Sequence, residues 1–244
     1  MMHQISLGFA DYIMMFWLVL GLPVWSYWDH KRFERALTAG DAGVLRNSYL
    51  KTLYMLWGPT LCIVGFWFAS GRAFEALGLS ITPTLSGAIG LGVALLLTAL
   101  LSAQVYQAKN NKDVAAKFMK ELARSPSVEK ILPKTEADYR LFKGLSITAG
   151  LTEEILFRGY LIWALSFWME SWLAALLSLA AFVLAHLYQG TTEAIVKVTI
   201  TGGALTLLYL LSGSLVPAII LHAVIDLTSG ATCWHARRTS AQAA

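Results

Sequence analysis

The chain has 244 residues, of which 57% are hydrophobic and only 14% charged, and it carries a net charge of +4. A soluble domain usually has about 25% charged residues, so this composition excludes an ordinary water-soluble fold. It predicts an all-α, polytopic membrane bundle of about seven transmembrane helices. The basic excess lacks the long basic faces with interleaved exposed aromatics of a nucleic-acid surface, which excludes nucleic acid as a partner.

Apolar runs of spanning length occur at about 8–28, 50–70, 84–106, 144–168, 172–189, 194–212 and 215–233. The first follows Met-Met-His-Gln-Ile-Ser, with neither a basic n-region nor a small-residue cleavage site, and reads as a retained helix. Asp11, near its start, is expected at the membrane interface. Cys62 and Cys233 sit in or beside apolar runs without a CxxC spacing, which suggests neither a disulfide framework nor a thiolate metal site.

Between the runs, the stretch 29–51 holds Lys31, Arg32, Arg35, Arg46 and Lys51, and the stretch 107–143 holds a longer basic series from Lys109 to Lys143. Arg237 and Arg238 lie in the tail, and Lys197 at the start of the sixth run. With seven spans, an outside N-terminus and a cytoplasmic C-terminus, all but Arg72 and Arg158 of the 19 Lys and Arg residues fall on the cytoplasmic side or its edge. The segment 107–143 reads as a cytoplasmic loop. Within it Val114, Phe118, Met119 and Leu122 share a face, the pattern of a short amphipathic helix on an anionic membrane surface. A solvated linker broken by Pro126 and Pro133 is the alternative. The predicted organisation is one membrane domain, with N-terminal spans and the polar segment in 1–143 and a core that carries the chemistry in 144–233.

The fourth run contains Thr-Glu-Glu-Ile-Leu-Phe-Arg-Gly, residues 152–159. Charges inside a span are expensive and mark functional sites. Glu154 and Arg158 are four apart and share a helix face, so they can pair. Glu153 is rotated about 100° from Glu154 at helical pitch, which leaves it free to face the bundle as a general acid or base. A purely structural ion-pair lock is the competing reading. The fifth run ends with Phe182, His186 and Gly190. The seventh carries Ser214-Leu-Val-Pro217, then His222 and Asp226, where Asp226 is placed to orient the imidazole four residues before it. Pro217 is a candidate for a bend that frees a backbone carbonyl.

The order Glu-Glu-x-x-x-Arg, Phe-x-x-x-His, His-x-x-x-Asn/Asp, each in an apolar helix, resembles the CAAX prenyl protease 2 and bacteriocin-processing (CPBP, or Abi) family of intramembrane endopeptidases. The residues that carry the resemblance are Glu153, Glu154 and Arg158, then Phe182 and His186, then His222 and Asp226; it covers about residues 144–230. The resemblance implies that Glu153 and His186 activate a water, that His222 and residue 226 stabilise the oxyanion, and that Glu154 and Arg158 hold the geometry. Where that family often has Asn, this chain has Asp226. An ionised Asp cannot donate to an oxyanion, so either Asp226 is protonated or it orients His222 as an imidazolium.

Glu153, His186, His222 and Asp226 are also types that ligate zinc. The standard His-Glu-x-x-His pattern is missing, so no cofactor is expected and zinc stays open. A proton-coupled transporter would use similar buried charges, but the chain lacks duplicated halves and paired broken helices. A non-catalytic membrane scaffold is the third reading. The expected partners are the lipid bilayer and a membrane-associated peptide or protein substrate, prenylated or bacteriocin-like, in a bacterial inner membrane. Oligomeric state leaves no trace in the sequence.

Overall fold

The computed structural model describes residues 6–80 and 84–241. It is 85% helical, with no strands among the described residues. In chain order, α1 (Phe9–Phe16) runs through a π-helical turn, Trp17–Gly21, into α2 (Leu22–Thr38). There follow α3 (Val44–Ala69), a 3-10 turn (Phe74–Leu77), α4 (Leu85–Asn110), α5 (Lys112–Leu122) and α6 (Pro126–Ile131). Next, α7 (Glu136–Glu153) continues through a π-helical segment, Glu154–Leu161, into α8 (Ile162–Leu165). The chain closes with α9 (Ser171–Ala185), a 3-10 turn (Leu187–Gln189), α10 (Thr192–Ser212) and α11 (Leu215–Ala241).

Six helical stretches are long and apolar enough to cross a membrane: Phe9–Thr38, Val44–Ala69, Leu85–Asn110, Ser171–Gln189, Thr192–Ser212 and Leu215–Thr239. The predicted seventh, at 144–168, is helical but is not one of them, so the expected count of seven is approximate. Its middle carries Glu153, Glu154 and Arg158, and all eight residues from Glu154 to Leu161 are buried by their neighbours. Leu, Ile, Phe and Trp side chains stay exposed along α1, α4, α9 and α10. Continuous apolar exposure on this scale is unstable in water and matches a hydrocarbon surrounding. The chain is an integral membrane protein.

The polar connections are themselves largely helical. The stretch 29–51 is mostly helical, because α2 runs on to Thr38 and buries Phe33 against Leu45 and Tyr49 while Arg32 and Arg35 remain exposed. The segment 107–143 contains the expected short helix, α5, and a further one, α6. The Asn111 side chain caps α5 by accepting from the Asp113 and Val114 N–H groups, and a Thr135–Asp138 capping box starts α7. Part of the apolar face of α5 packs on protein: Phe118, Met119 and Leu122 cluster with Cys233 and Phe142. Burial against α11 satisfies that face, leaving its lysines outward.

Asp11, expected near the start of its span, is covered by protein. It is 1% exposed and takes a two-pronged contact from Arg72, at 2.9 and 2.7 Å, while the Tyr160 hydroxyl donates to its backbone carbonyl at 3.0 Å. This buried pair ties the start of α1 to the end of α3 and to the π-helical segment. Pro217 does not bend α11. It falls in the first turn, where a missing N–H has no intrahelical partner to lose.

Two glycines set the packing around the centre. At Gly150 in α7 an added Cβ would lie 2.6 Å from the Ala223 backbone nitrogen, so α7 and α11 touch backbone to backbone beside residue 222. At Gly202 in α10 a Cβ would press on Leu179, Phe182 and the Arg158 guanidinium, at 2.9 to 3.2 Å.

Candidate active site

The π-helical segment begins one residue after Glu153. Such segments interrupt α-helices most often at functional sites, and here the interruption lies where three ionisable groups must leave the helix surface. Arg158, only 1% exposed, spends its rigid fork of donors on three different partners. Nη1 donates to Glu154 Oε1 at 2.9 Å, Nη2 to the Gly202 carbonyl at 2.9 Å, and Nε to Thr206 Oγ1 at 3.2 Å. Its guanidinium also lies over the Phe182 ring, 4.3 Å from the centroid. The predicted Glu154–Arg158 pair is therefore present. Its anchors on α10, Gly202 and Thr206, escaped the sequence reading, because a small residue and a threonine in an apolar run carry no periodic signal.

Glu154 is fully buried and serves two partners through one oxygen: Oε1 also lies 2.7 Å from Nδ1 of His222. A carboxylate accepts, so this nitrogen is the donor. The other oxygen, Oε2, is buried with no hydrogen-bond partner among the described residues. Asp226, expected to orient His222, lies 3.9 Å from its Nε2, while Glu154 holds Nδ1. The physical reason is the close approach at Gly150, which brings Glu154 onto α11 directly opposite His222 and lets it occupy Nδ1 first.

His186 follows the last residue of α9. Helix ends leave carbonyls without intrahelical donors, and Nδ1 of His186 satisfies one of them, the Phe182 carbonyl, at 2.8 Å. A carbonyl only accepts, so Nδ1 bears the hydrogen and the neutral ring keeps its lone pair on Nε2. Gly190, at φ +74°, then turns the chain into α10. Phe182 packs its ring 4.4 Å from that of His186 and 6.3 Å from that of His222, so one aromatic wall supports both imidazoles.

With both Nδ1 atoms occupied, both Nε2 atoms point at one carboxylate. Glu153 Oε2 lies 4.0 Å from Nε2 of His186 and 3.8 Å from Nε2 of His222. These gaps exceed a direct hydrogen bond but suit a bridging water at about 2.8 Å from each partner. Thus Glu153, Glu154, Arg158, Phe182, His186, His222 and Asp226 all come together, from four helical elements. Among the described residues, no group of three or more His, Cys, Asp or Glu side chains is arranged to hold a metal ion.

Glu153, His186, His222 and Asp226 line a cavity of about 410 Å³. Its remaining wall includes Phe118, Glu121 and Leu122 from α5 and Val128 from α6, so the polar segment covers the site. Tyr188, Asp29 and His30 also lie close by. The His30 and Tyr188 rings are 5.2 Å apart, and Tyr188 is 6.0 Å from His186. Nothing in their local sequence announces this, since α2 reaches the site only through the fold.

No curated protein and no solved structure matches the chain. Residues 139–228 match the family model described as type II CAAX prenyl endopeptidase Rce1-like, and this is the family that the motifs around Glu153, His186 and His222 resemble.

Proposed function

We propose that the chain is an intramembrane endopeptidase that hydrolyses a peptide bond of a membrane-associated substrate by means of a water activated by Glu153 and His186. The observation that carries this reading is the Glu153 carboxylate set between two imidazole Nε2 atoms on the wall of a peptide-sized cavity. In this scheme a water held between Glu153 and the lone pair of His186 attacks the carbonyl carbon as its proton passes to Glu153. That proton then goes to the leaving amine nitrogen as the C–N bond breaks. His222 faces the developing oxyanion. Because its Nδ1 donates to Glu154, Nε2 donates only when His222 is an imidazolium. Preorganised donors at a developing oxyanion are worth about 3–4 kcal/mol each.

The family match supports peptidase chemistry and leaves the substrate as a choice between a prenylated tail and a bacteriocin-like peptide. The proposed setting is a bacterial inner membrane, with the N-terminus outside, the C-terminus inside and no metal cofactor. Glu153→Gln tests the central role: it keeps shape but removes the proton acceptor. Cleavage of a CAAX-type reporter by purified protein in nanodiscs is expected to vanish at unchanged protein level, and wild-type turnover by this variant would refute the assignment.

A further inference from the structure

A second chamber, of about 110 Å³, adjoins the first at Glu153 and His186. Its polar lining comes from α2, α3 and the turn after α9: Ser26, Asp29, His30, Ser48, Thr52 and Tyr188. That volume suffices for several waters, each of which needs roughly 10–15 Å³ and two to four polar partners. The two chambers share a wall of Thr52, Leu56, Ile131, Glu153 and His186, whereas His222 and Asp226 border only the larger one. At its outer end Asp29 pairs with the exposed Lys51 at 2.6 Å, and His30 lies 3.7 Å from Glu34, which Lys130 contacts at 3.0 Å. A cluster of charges, with Lys51 exposed and Lys130 partly so, therefore stands at its rim.

We propose that this chamber is a water reservoir that feeds the Glu153–His186 pair from behind while substrate fills the larger cavity. The inference rests on the peptidase reading. Each peptide bond hydrolysed consumes one water, whose oxygen joins the acyl carbon and whose proton ends on the amine nitrogen. A peptide seated against His222 and Asp226 blocks the route through its own cavity, so the next water must come from another side. Of the five residues that line both spaces, Glu153 and His186 are the two with ionisable side chains. Ser26 and Ser48 act here through their small size, which keeps the chamber open, while Asp29, His30, Thr52 and Tyr188 supply polar partners.

The test combines radiolytic hydroxyl labelling of Met55, whose side chain lines the chamber, with steady-state kinetics on the intact protein in nanodiscs. Ser48→Leu, which fills the space, is expected to lower Met55 labelling several-fold and kcat by about ten-fold, with KM little changed. Ser48→Ala, which keeps the space, is expected to leave both near wild type. Ser26→Leu repeats the blockade from a different helix if Ser48→Leu fails to fold. Met55 labelling in active wild-type protein that neither filling substitution reduces overturns the reservoir, as does a loss carried by KM instead of kcat. Because labelling needs no substrate, the two failures separate. A dry chamber in an active enzyme defeats this proposal alone, and a hydrated chamber in a protein that cleaves nothing defeats it together with the peptidase reading.

Discussion

Glu154 Oε1 sits 2.7 Å from Nδ1 of His222, a contact between residues 68 positions apart, and the same oxygen takes Nη1 of Arg158 at 2.9 Å. One buried carboxylate oxygen thus compensates the guanidinium and fixes the ring plane of an imidazole on another helix. Metal sites and catalytic sites commonly hold a histidine by its far nitrogen in this way, so that the near one is aimed. Asp226 faces the other ring nitrogen, Nε2, at 3.9 Å.

Glu154→Gln and Arg158→Ala should each damage the fold more than Glu153→Gln does. Either change leaves one buried charge without its partner, and breaking a buried pair in this way costs about 3–5 kcal/mol. Membrane abundance and the thermal midpoint of purified protein measure the effect. A Glu154→Gln variant as abundant and stable as wild type would show that the pair contributes little.

Asp226→Asn should retain activity within a few-fold of wild type. Its carboxylate lies 3.9 Å from Nε2 of His222 while Glu154 already holds Nδ1, and an amide at 226 can donate to an oxyanion. If residue 226 instead holds His222 or a zinc ion, the loss should be about 10–100-fold. Chelator treatment of the wild-type enzyme separates those two cases, because activity should fall only where zinc is required.

Gly150→Ala should lower both stability and turnover. The added methyl would sit 2.6 Å from the Ala223 nitrogen, which forces α7 and α11 apart at the level of Glu154 and His222. Overpacking of this kind costs about 1–3 kcal/mol. Gly144→Ala, whose Cβ meets open space on the same helix, serves as the control and should be neutral or stabilising. Equal behaviour of the two variants would remove the close approach as the cause.

Reporter fusions beside Gly40 and Arg124 should report cytoplasm, and one beside Glu75 the outside. The basis is the bias of basic residues toward one set of connections. Arg72, the exception, is held by Asp11 instead of by a cytoplasmic surface. The reverse pattern of signals would turn the site toward the other leaflet.

Periodicity and hydropathy report relations along one helix. The apolar runs by themselves determined an all-helical membrane protein, and the four-residue spacing determined that Glu154 and Arg158 could pair. The run at 144–168 already stood out for carrying charges where lipid would reject them. Which helix faces which is decided by contacts that leave no such pattern. Gly150 and Gly202 look like ordinary small residues of an apolar run, yet their missing side chains let α7 meet α11 and let Arg158 reach the α10 backbone. That approach set Glu154 against Nδ1 of His222, a partner that the four-residue spacing to Asp226 does not reveal. In the same way, only the tertiary structure joined Asp11 to Arg72, folded 107–143 over the cavity and brought Asp29 and His30 behind His186. Each of these joins partners far apart in the chain, and their geometry comes from side-chain volume at helix crossings, which a one-dimensional pattern of apolar and polar residues does not encode.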